Sequence, residues 1–546
     1  MIKNNIKICL IILGLSPITI VTAQDDKELP SGKVEVISSF EAKLDKAVKL
    51  PLNGPLKEEK VSPKSYTYEI SSLSRDKKPP IKYEVPEIRP LAMKKEKLPD
   101  SYNGFLKLGV NVPLGAYIDG GYFLTNAESY FIDISGNHYS IFQSPRDQQL
   151  YNETNLRGTG TVYLKNGLAI NGLAGFNLNN YRLYGGYEPV DTTFAEDASK
   201  RNYKNFEGGI KLYNSQKNKI DLDYHAGLDL YRYGNNENTN ENKLGIDIGA
   251  TKWLAEKHAI TVDITNALYR YSDTTVINFN KFNVKPSFSF HGEIFKLKVG
   301  ANFVNSTGGF VFFPDIEANL NLAGPAIMVF AGAGGDLYEQ SFKRISTYNP
   351  FLESHYGGPF NTKYYDFYGG LSGGIRNISY RLQAGYKPQK DYPLFIQSTV
   401  DIRQFDVVVD DVNIFYFGGD LSAKFFDKLQ TSLNFLGQLG EARHYSKVFG
   451  LVPFSLGFNA AYLALEDKLR LKADLNFASG SFYRNQFLSE GTLPPMFDLS
   501  LGAEYFFTEK FGAFLNVNNL ASVKYQRWYK YPTYGINLAG GISLRF

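Results

Sequence analysis

From about Asn103 to the end of the chain, apolar and polar side chains alternate almost residue by residue. In the segment 468–478, for example, Leu471 and Leu475 belong to an apolar file, whereas Lys472 and Asp474 belong to a polar file. Successive side chains of a β-strand point to opposite faces, so each segment of this kind has one apolar and one polar face. The pattern therefore predicts that residues 101–546 form an all-β domain.

A β-sandwich and a membrane barrel share this alternation, and the spacing of the turns separates them. Short polar turns alternate with longer irregular segments, as they do when one rim of a barrel carries tight turns and the other carries long loops. Ten short turns, with both chain ends at the same rim, predict a transmembrane antiparallel β-barrel of about 22 strands, with 20 to 22 as the range. The short turns lie near 126 and 324–325 and at 165–167, 215–219, 255–257, 291–293, 376–377, 427–428, 466–468 and 508–510; the longer segments are 183–202, 339–360, 389–411, 440–451, 481–494 and 520–533.

The composition also favours a barrel in the outer membrane of a Gram-negative bacterium. Aromatic residues make up 15% of the chain, and aromatic girdles mark both interfaces of such barrels. The net charge is only +4, which gives no electrostatic reason to expect nucleic-acid binding. Beyond the leader no run of 18 apolar residues occurs, so membrane-spanning helices are not predicted. The only cysteine, Cys9, lies in the leader, which excludes disulfides, zinc–thiolate sites and cysteine nucleophiles from the mature chain.

Two segments precede the barrel. Lys3 and Lys7, the apolar stretch 8–20 and the small residues that follow it predict a signal peptide over residues 1–23. Residues 24–100 contain 9 of the 24 prolines and only 2 of the 50 glycines, and prolines this frequent interrupt helices and central strands. We expect an extended, Pro- and Lys-rich periplasmic segment. It is either a disordered tail or an arm that docks on a periplasmic or outer-membrane protein partner or folds into the barrel mouth.

The chain ends in an amphipathic strand whose last residue is aromatic. Its apolar file predicts contact with outer-membrane lipid and resembles the signal that the barrel-assembly machinery recognises during biogenesis. Strand addition supplies the physical reason, because an unpaired terminal strand can pair with an open sheet edge. The residues of this barrel-assembly signal are Tyr534, Ile536, Leu538, Ile542, Leu544 and Phe546.

The last two strands also resemble a known family. The segment 511–520, with the sequence FGAFLNVNNL, is followed by Lys524-Tyr525 and the terminal strand, and together they are similar to the closing hairpin of TonB-dependent receptor barrels. This resemblance implies a 22-strand outer-membrane barrel of the transporter type, and the Tyr-, Asn- and Lys-rich composition looks like exported barrels of the Bacteroidota. Receptors of this family carry a globular plug before the barrel. Residues 24–100 are too short and too poor in glycine for a plug, so the chain is predicted to be a plugless relative.

Two polar stripes are candidate lumen-lining sites. Asp221, Asp223 and His225 belong to the polar file of one predicted strand. Asp315 and Glu317 belong to the polar file of another. Side chains of this kind either hydrate the lumen of a barrel or attract cations in a pore.

Catalytic and cofactor-binding motifs do not accompany these stripes. The six histidines are scattered, and neither a G-x-S-x-G elbow nor a Walker A loop occurs. No cofactor, metal site or enzymatic activity is therefore predicted. Two adjacent acids, Asp410 and Asp411, lie in a predicted outer loop and could bind a divalent cation, but two acids alone do not define a site. The leading interpretation is a transport or channel role for an unidentified solute. The alternative is a non-transporting scaffold subunit of an outer-membrane assembly or secretion complex.

Overall fold

The computed structural model describes residues 102–126, 129–186, 196–306, 308–353 and 355–546. The predicted signal peptide at 1–23 and the predicted periplasmic segment at 24–100 lie outside these ranges. Within them, no helix combines the length and the apolar character that are needed to cross a bilayer.

The described residues form one closed barrel of 22 antiparallel strands, in which each strand pairs with the next and the last pairs with the first. The first eleven strands are β1 (Gly104–Val112), β2 (Gly115–Asn126), β3 (Tyr130–Ile141), β4 (Tyr151–Tyr163), β5 (Leu168–Arg182), β6 (Lys200–Asn214), β7 (Leu222–Asn235), β8 (Asn240–Leu254), β9 (His258–Ser272), β10 (Val276–His291) and β11 (Phe295–Ser306). The others are β12 (Gly309–Asn321), β13 (Met328–Gln340), β14 (Phe360–Ile375), β15 (Ile378–Gln397), β16 (Phe405–Phe425), β17 (Leu429–Ala442), β18 (Phe454–Ala464), β19 (Leu469–Ala478), β22 (Met496–Phe506), β23 (Phe511–Asn518) and β26 (Asn537–Arg545).

Smaller elements lie in the connections at the rim opposite the chain ends, which we call the outer rim. Strand β20 (Phe482–Arg484) pairs with β21 (Glu490–Thr492), and β24 (Gln526–Trp528) pairs with β25 (Tyr531–Pro532). The helix α1 (Phe342–Tyr348) follows β13, and the single 3-10 turn Glu196–Ser199 precedes β6. The predicted long segments 481–494 and 520–533 thus each contain a small hairpin.

The structure confirms the predicted 22-strand barrel, and the ten predicted short turns fall between consecutive strands at one rim. The prediction of a loop over 389–411 was wrong. Strands β15 and β16 have 20 and 21 residues and leave only 398–404 between them. About 9–11 residues are enough to cross a membrane, so the outer ends of these two strands stand in water. Charged residues can therefore occupy both faces of these strand ends. They interrupt the alternation of apolar and polar residues by which a strand is recognised in the sequence.

The outward file of the barrel wall is apolar. Val110, Leu230 and Phe312 are 62%, 56% and 56% exposed on this surface. Polar residues fill the inward file, so the wall is apolar outside and polar inside, as in a barrel surrounded by hydrocarbon. The apolar belt and the closed wall are consistent with a location in a Gram-negative outer membrane.

The terminal strand β26 closes the barrel against β1. Gly104 and Phe546 exchange backbone hydrogen bonds of 2.8 and 3.0 Å, and the Phe546 ring lies 5.9 Å from the ring of Tyr122. A Cβ atom at position 104 would lie 2.6 Å from the Phe546 ring, so only glycine fits there without movement. The aromatic terminus is therefore built into the seam of the barrel.

Ion pairs reinforce this seam on the lumen side. The carboxylate of Glu504 on β22 lies 2.8 Å from the ammonium of Lys107 on β1 and 2.9 Å from the guanidinium of Arg470 on β19. The hydroxyl of Ser543 on β26 donates a 2.7 Å hydrogen bond to the same carboxylate. One buried acid thus connects strands on both sides of the closure, and we call this group the seam cluster.

Two of the six predicted signal residues lie before β26 begins at Asn537. Ile536 is exposed, whereas Tyr534 turns into the outer loops and its hydroxyl donates a 2.7 Å hydrogen bond to the carbonyl of Gln149. Of the four remaining residues, Leu538, Ile542 and Leu544 lie in the strand, and Phe546 follows its last residue, Arg545.

We predict that Phe546 matters more for assembly than for the finished barrel. The variant Phe546→Ala loses the aromatic terminus and the contact with Tyr122, whereas Tyr122→Ala removes the same contact and keeps the terminus. The folded fraction in cells, measured by heat-modifiable migration on SDS gels, should fall several-fold in the first variant and stay near wild type in the second. Equal losses in the two variants would contradict a recognition role for Phe546.

Candidate functional site

The first predicted stripe lines the lumen between β6 and β8. Asp223 on β7 accepts hydrogen bonds from the indole of Trp253 at 2.7 Å and from the amide of Asn214 at 3.0 Å. The next inward residue, His225, lies 3.0 Å from a carboxylate oxygen of Asp247 on β8. Both side chains therefore bind their neighbours along the wall.

Asp221 is separate from this stripe. It lies one residue before β7 begins, with a φ of 47°, and its carboxylate is 3.3 Å from the ammonium of Lys217. The turn extends one residue further than the alternation indicates, so Asp221 belongs to the rim.

The second predicted stripe lies on β12. Asp315 forms an ion pair with Lys298 on β11. Glu317 accepts hydrogen bonds from the hydroxyl of Tyr368 at 2.7 Å and from the amide of Asn319 at 3.0 Å. These acids are engaged by neighbouring side chains, as expected for residues that organise a hydrated wall.

A continuous band of charges joins the two stripes. Asp263 on β9 lies between them, within the field of His225, Asp247, Lys285 and Lys298. Gly249 permits this approach, because a Cβ atom there would collide with both the His225 ring and the Asp263 carboxylate. Three acids, two lysines and one histidine follow one another along the band from β7 to β12, so the wall is polar without a strong net charge. We call His225, Asp247, Asp263, Lys285, Lys298 and Asp315 the charge band.

The connection between β13 and β14 contacts the inward face of the wall. We call its residues 341–353 the inward loop. The hydroxyl of Ser341 accepts a 3.3 Å hydrogen bond from the backbone N–H of Arg344 and caps α1. Phe342 and Ile345 form the buried face of this helix, while Arg344 and Tyr348 are exposed.

Glu241 on β8 anchors the inward loop to the wall. Its fully buried carboxylate accepts hydrogen bonds from the backbone N–H groups of Phe342 at 2.7 Å and Lys343 at 3.3 Å. The hydroxyl of Tyr231 donates a third bond at 2.7 Å. Because these N–H groups belong to the first turn of α1, they have no partner within the helix, and the negative charge also complements the helix dipole.

Tyrosines on the neighbouring strands complete this anchor. The hydroxyls of Tyr233 and Ser346 are 2.7 Å apart, and the hydroxyl of Tyr203 donates a 2.9 Å hydrogen bond to the carbonyl of Pro350. The ring of Phe342 packs against the rings of Tyr203, Tyr233 and Tyr271 at centroid distances of 6.3, 5.4 and 6.0 Å. The first half of the inward loop is therefore fixed to β6–β9.

The rest of the inward loop packs against outer loops and against β15. The ring of Phe351 stacks on that of Tyr531 at 3.6 Å, and the ring of Tyr348 lies 5.3 Å from that of Phe395. The contacts of the loop thus extend from Tyr203 on β6 to Tyr531 in the connection between β23 and β26, so the loop reaches across the outer mouth. We call the inward loop, together with residues 398–404, 443–453 and 526–531, the cap.

Asp410 and Asp411 lie in β16, so their predicted place in an outer loop was wrong. The carboxylate of Asp410 accepts hydrogen bonds from the backbone N–H groups of His444 at 2.8 Å and Tyr445 at 3.1 Å, and it lies 2.7 Å from the His444 ring. These bonds hold the third segment of the cap. Over the part of the chain that the structure describes, no three His, Cys, Asp or Glu side chains are grouped to hold a metal ion.

Two charged groups in the cap have shifted pKa values. Burial opposes ionisation of Asp401, but hydrogen bonds from Arg403, the shortest of 2.7 Å, outweigh it and lower the pKa of the carboxyl below its usual value. Loss of water around Arg344 lowers the pKa of its guanidinium to about 10. Both groups therefore stay charged at neutral pH.

The anchor of the inward loop was not predicted from the sequence. Glu241 is one acid among many in the polar files, and its partners are about a hundred residues away in the chain. The available signal was the concentration of tyrosine near the outer ends of β6, β7 and β9, which marks a place where aromatic rings pack inside the barrel.

No protein-family model and no curated protein sequence matches the chain. Solved structures match its fold. The pyoverdine outer membrane receptor FpvA from Pseudomonas aeruginosa PAO1 has a TM-score of 0.61 and 12% identity, over 83% of this chain and 79% of that one.

Two further structures extend the comparison. The FrpB iron transporter from Neisseria meningitidis has a TM-score of 0.63 and 10% identity, over 82% of each chain. The ferric-catecholate import receptor Fiu from E. coli K12 has a TM-score of 0.61 and 9% identity, also over 82% of each chain. Identities this low establish a shared fold. The class that the fold defines is the large, 22-strand outer-membrane β-barrel.

Proposed function

We propose that this protein is an outer-membrane transport or channel protein whose outer mouth is closed by the inward loop in the conformation described. The observation that carries the proposal is the anchoring of that loop across the mouth of a polar lumen, through the buried carboxylate of Glu241. A 22-strand barrel encloses enough space to need a closing element. The names of the structurally similar receptors and transporters also support a transport role.

The finer parts of the proposal concern the family and the partners. The chain is proposed to be a plugless relative of the TonB-dependent receptors, of Bacteroidota type and without enzymatic activity. Residues 24–100 are proposed to contact a periplasmic or outer-membrane protein, and the terminal strand to be recognised by the barrel-assembly machinery. The scarcity of glycine in residues 24–100 supports the plugless assignment, and the aromatic terminus supports recognition by the barrel-assembly machinery.

The variant Glu241→Gln tests whether the cap closes a channel. Replacing one carboxylate oxygen by an NH2 group leaves at least one of the three donors around Glu241 without an acceptor. Loss of a hydrogen bond to a charged group weakens an interaction by about 1.5–3 kcal/mol, which shifts the ratio of closed to open states by roughly ten- to a hundred-fold. Purified full-length protein in planar bilayers should therefore open far more often in this variant than in the wild type.

Glu441→Gln is the matched control, because Glu441 is an exposed acid on β17 with no part in the anchor. It should behave as the wild type. Equal conductance of the wild type and the Glu241 variant would refute gating by the inward loop. Silent bilayers for both, with stable co-purification of other envelope proteins, would instead support the scaffold role.

A further inference from the structure

The exposed face of α1 carries an arginine that is stacked on a tyrosine. The guanidinium carbon of Arg344 lies 3.3 Å from the ring centroid of Tyr338 on β13. One helical turn further on, Tyr348 is 48% exposed. The helix buries its apolar face in the cap and therefore presents a cation and an aromatic ring on the other side.

A second arginine lies against the same face. The guanidinium carbon of Arg527 is 5.0 Å from the ring centroid of Tyr348 and 4.6 Å from that of Trp528. It donates hydrogen bonds to the hydroxyl of Tyr348 and, at 3.1 Å, to the carbonyl of Gly450. Stacking and hydrogen bonding fix the plane of this guanidinium without neutralising it.

Tyr348 links the two arginines, because it lies one helical turn after Arg344 on α1 and its ring and hydroxyl contact Arg527. The surroundings of the Tyr392 hydroxyl include the charges of Arg344 and Arg527 together with the hydroxyl of Tyr348. The two guanidinium groups therefore share one neighbourhood beside the cap, with tyrosine rings on several sides.

The two arginines differ from other bases of the lumen in their charge balance. Three lysines of the lumen form ion pairs: Lys343 with Glu207 at 3.3 Å, Lys387 with Asp366 at 3.1 Å and Lys281 with Asp336 at 3.0 Å. No carboxylate of the described residues forms an ion pair with Arg344 or Arg527. The charges of Glu339 and Arg344 both influence the hydroxyl of Tyr269. The carboxylate of Glu339 lies 3.6 Å from the ammonium of Lys281, with which it forms an ion pair.

We propose that Arg344 and Arg527, with Tyr338 and Tyr348, form a binding site for the anionic group of a small organic solute. A planar guanidinium presents a fork of N–H donors that matches a carboxylate or a phosphate. The tyrosine rings provide flat apolar contact for the rest of such a solute. This inference rests on the proposed transport function and gives it a substrate class.

Tryptophan fluorescence can report on this site. The chain has only two tryptophans, and Trp253 lies at the other rim beside the turn at 255–257. In a Trp253→Phe background, Trp528 is the only tryptophan left, and it contacts Arg527. Full-length protein in detergent would be titrated at constant ionic strength with citrate, with inorganic phosphate and with glycerol as a neutral control. We expect a saturable change with citrate and with phosphate and none with glycerol.

Two variants and a matched control identify the residues. Arg344→Gln and Arg527→Gln should each weaken citrate binding about tenfold or more, the effect of losing one charged hydrogen-bonding partner. Arg344→Lys should recover part of the affinity, because it restores the charge but not the fork. Lys472→Gln removes a lumen cation near the opposite rim and should leave binding unchanged. Calorimetry on the chain with both tryptophans repeats the comparison without the fluorescent reporter.

The possible results separate this site from the transport proposal. The absence of saturable binding of citrate and phosphate, or equal affinity in the wild type and both glutamine variants, overturns the anion site whatever the bilayers show. Binding that is lost in both variants supports the site. If anion binding is lost in both glutamine variants but the Glu241→Gln variant is silent in bilayers, the anion site is supported and the transport function is refuted.

Discussion

A variant in which residues 342–353 are replaced by a short glycine–serine linker should behave as a permanently open pore. The replacement removes α1 and the loop groups that bind Glu241, Tyr233 and Tyr203, and it leaves the paired strands β13 and β14 intact. The lumen wall below is polar and carries the charge band, so water and ions should enter once the loop is gone. Wild-type bilayers should be mostly closed, and this variant should show a large and constant conductance.

Cells provide a second measurement of this effect. Bacteria that express the open variant should become sensitive to bile salts and to large antibiotics that the outer membrane excludes. The control variant Phe487→Ser, at an exposed outer loop tip, should not change sensitivity or conductance. Unchanged permeability of the loop variant, with a folded barrel on gels, would show that another part of the chain closes the lumen.

The second large effect concerns the seam cluster. The variant Glu504→Ala removes the carboxylate that Lys107 and Arg470 share in this buried position. Removing one member of a buried ion pair costs about 3–5 kcal/mol, because the remaining charge is uncompensated. Urea unfolding, followed by heat-modifiable migration, should have a clearly lower midpoint, and unfolding should begin where β26 meets β1.

The matched control for this variant is Asp427→Ala. Asp427 pairs with Lys424 at 2.7 Å in an exposed turn, where water and salt screen the interaction. Its loss should not change the urea midpoint measurably. Equal midpoints for the Glu504 variant and the wild type would mean that backbone pairing alone holds the seam.

The wall of the barrel could be predicted because its signal is local. Alternation along a strand fixes which residues face lipid, as Leu538 and Ile542 do. The turn at 466–468 is marked by three consecutive charged residues. Each of these features depends on neighbours within a few positions, so a single sequence is enough to read it.

The cap could not be predicted because its contacts are distant in sequence. Glu241 binds Phe342 and Lys343, and Phe351 stacks on Tyr531. A loop that folds inward and a loop that extends into water have similar compositions, and no periodic pattern distinguishes them.

Small errors in the predicted strand boundaries also limited the prediction of the candidate lumen residues. Asp221 shares the alternation of Asp223, but β7 begins at Leu222 and leaves Asp221 in the turn. Because strand faces alternate at every residue, an error of one position at a strand end changes the surroundings of a side chain completely.

The pairing of β1 with β26 also determines the order of events when the chain is made. Phe105 pairs with Arg545, so the bonds that close the wall join the first and last strands of the barrel. Until the last strand is in place, the growing sheet has two edges with unpaired N–H and C=O groups. A product of interrupted synthesis lacks the strand with which β1 pairs in the finished wall. The ring described here therefore forms only from a chain that has been made to its last strand.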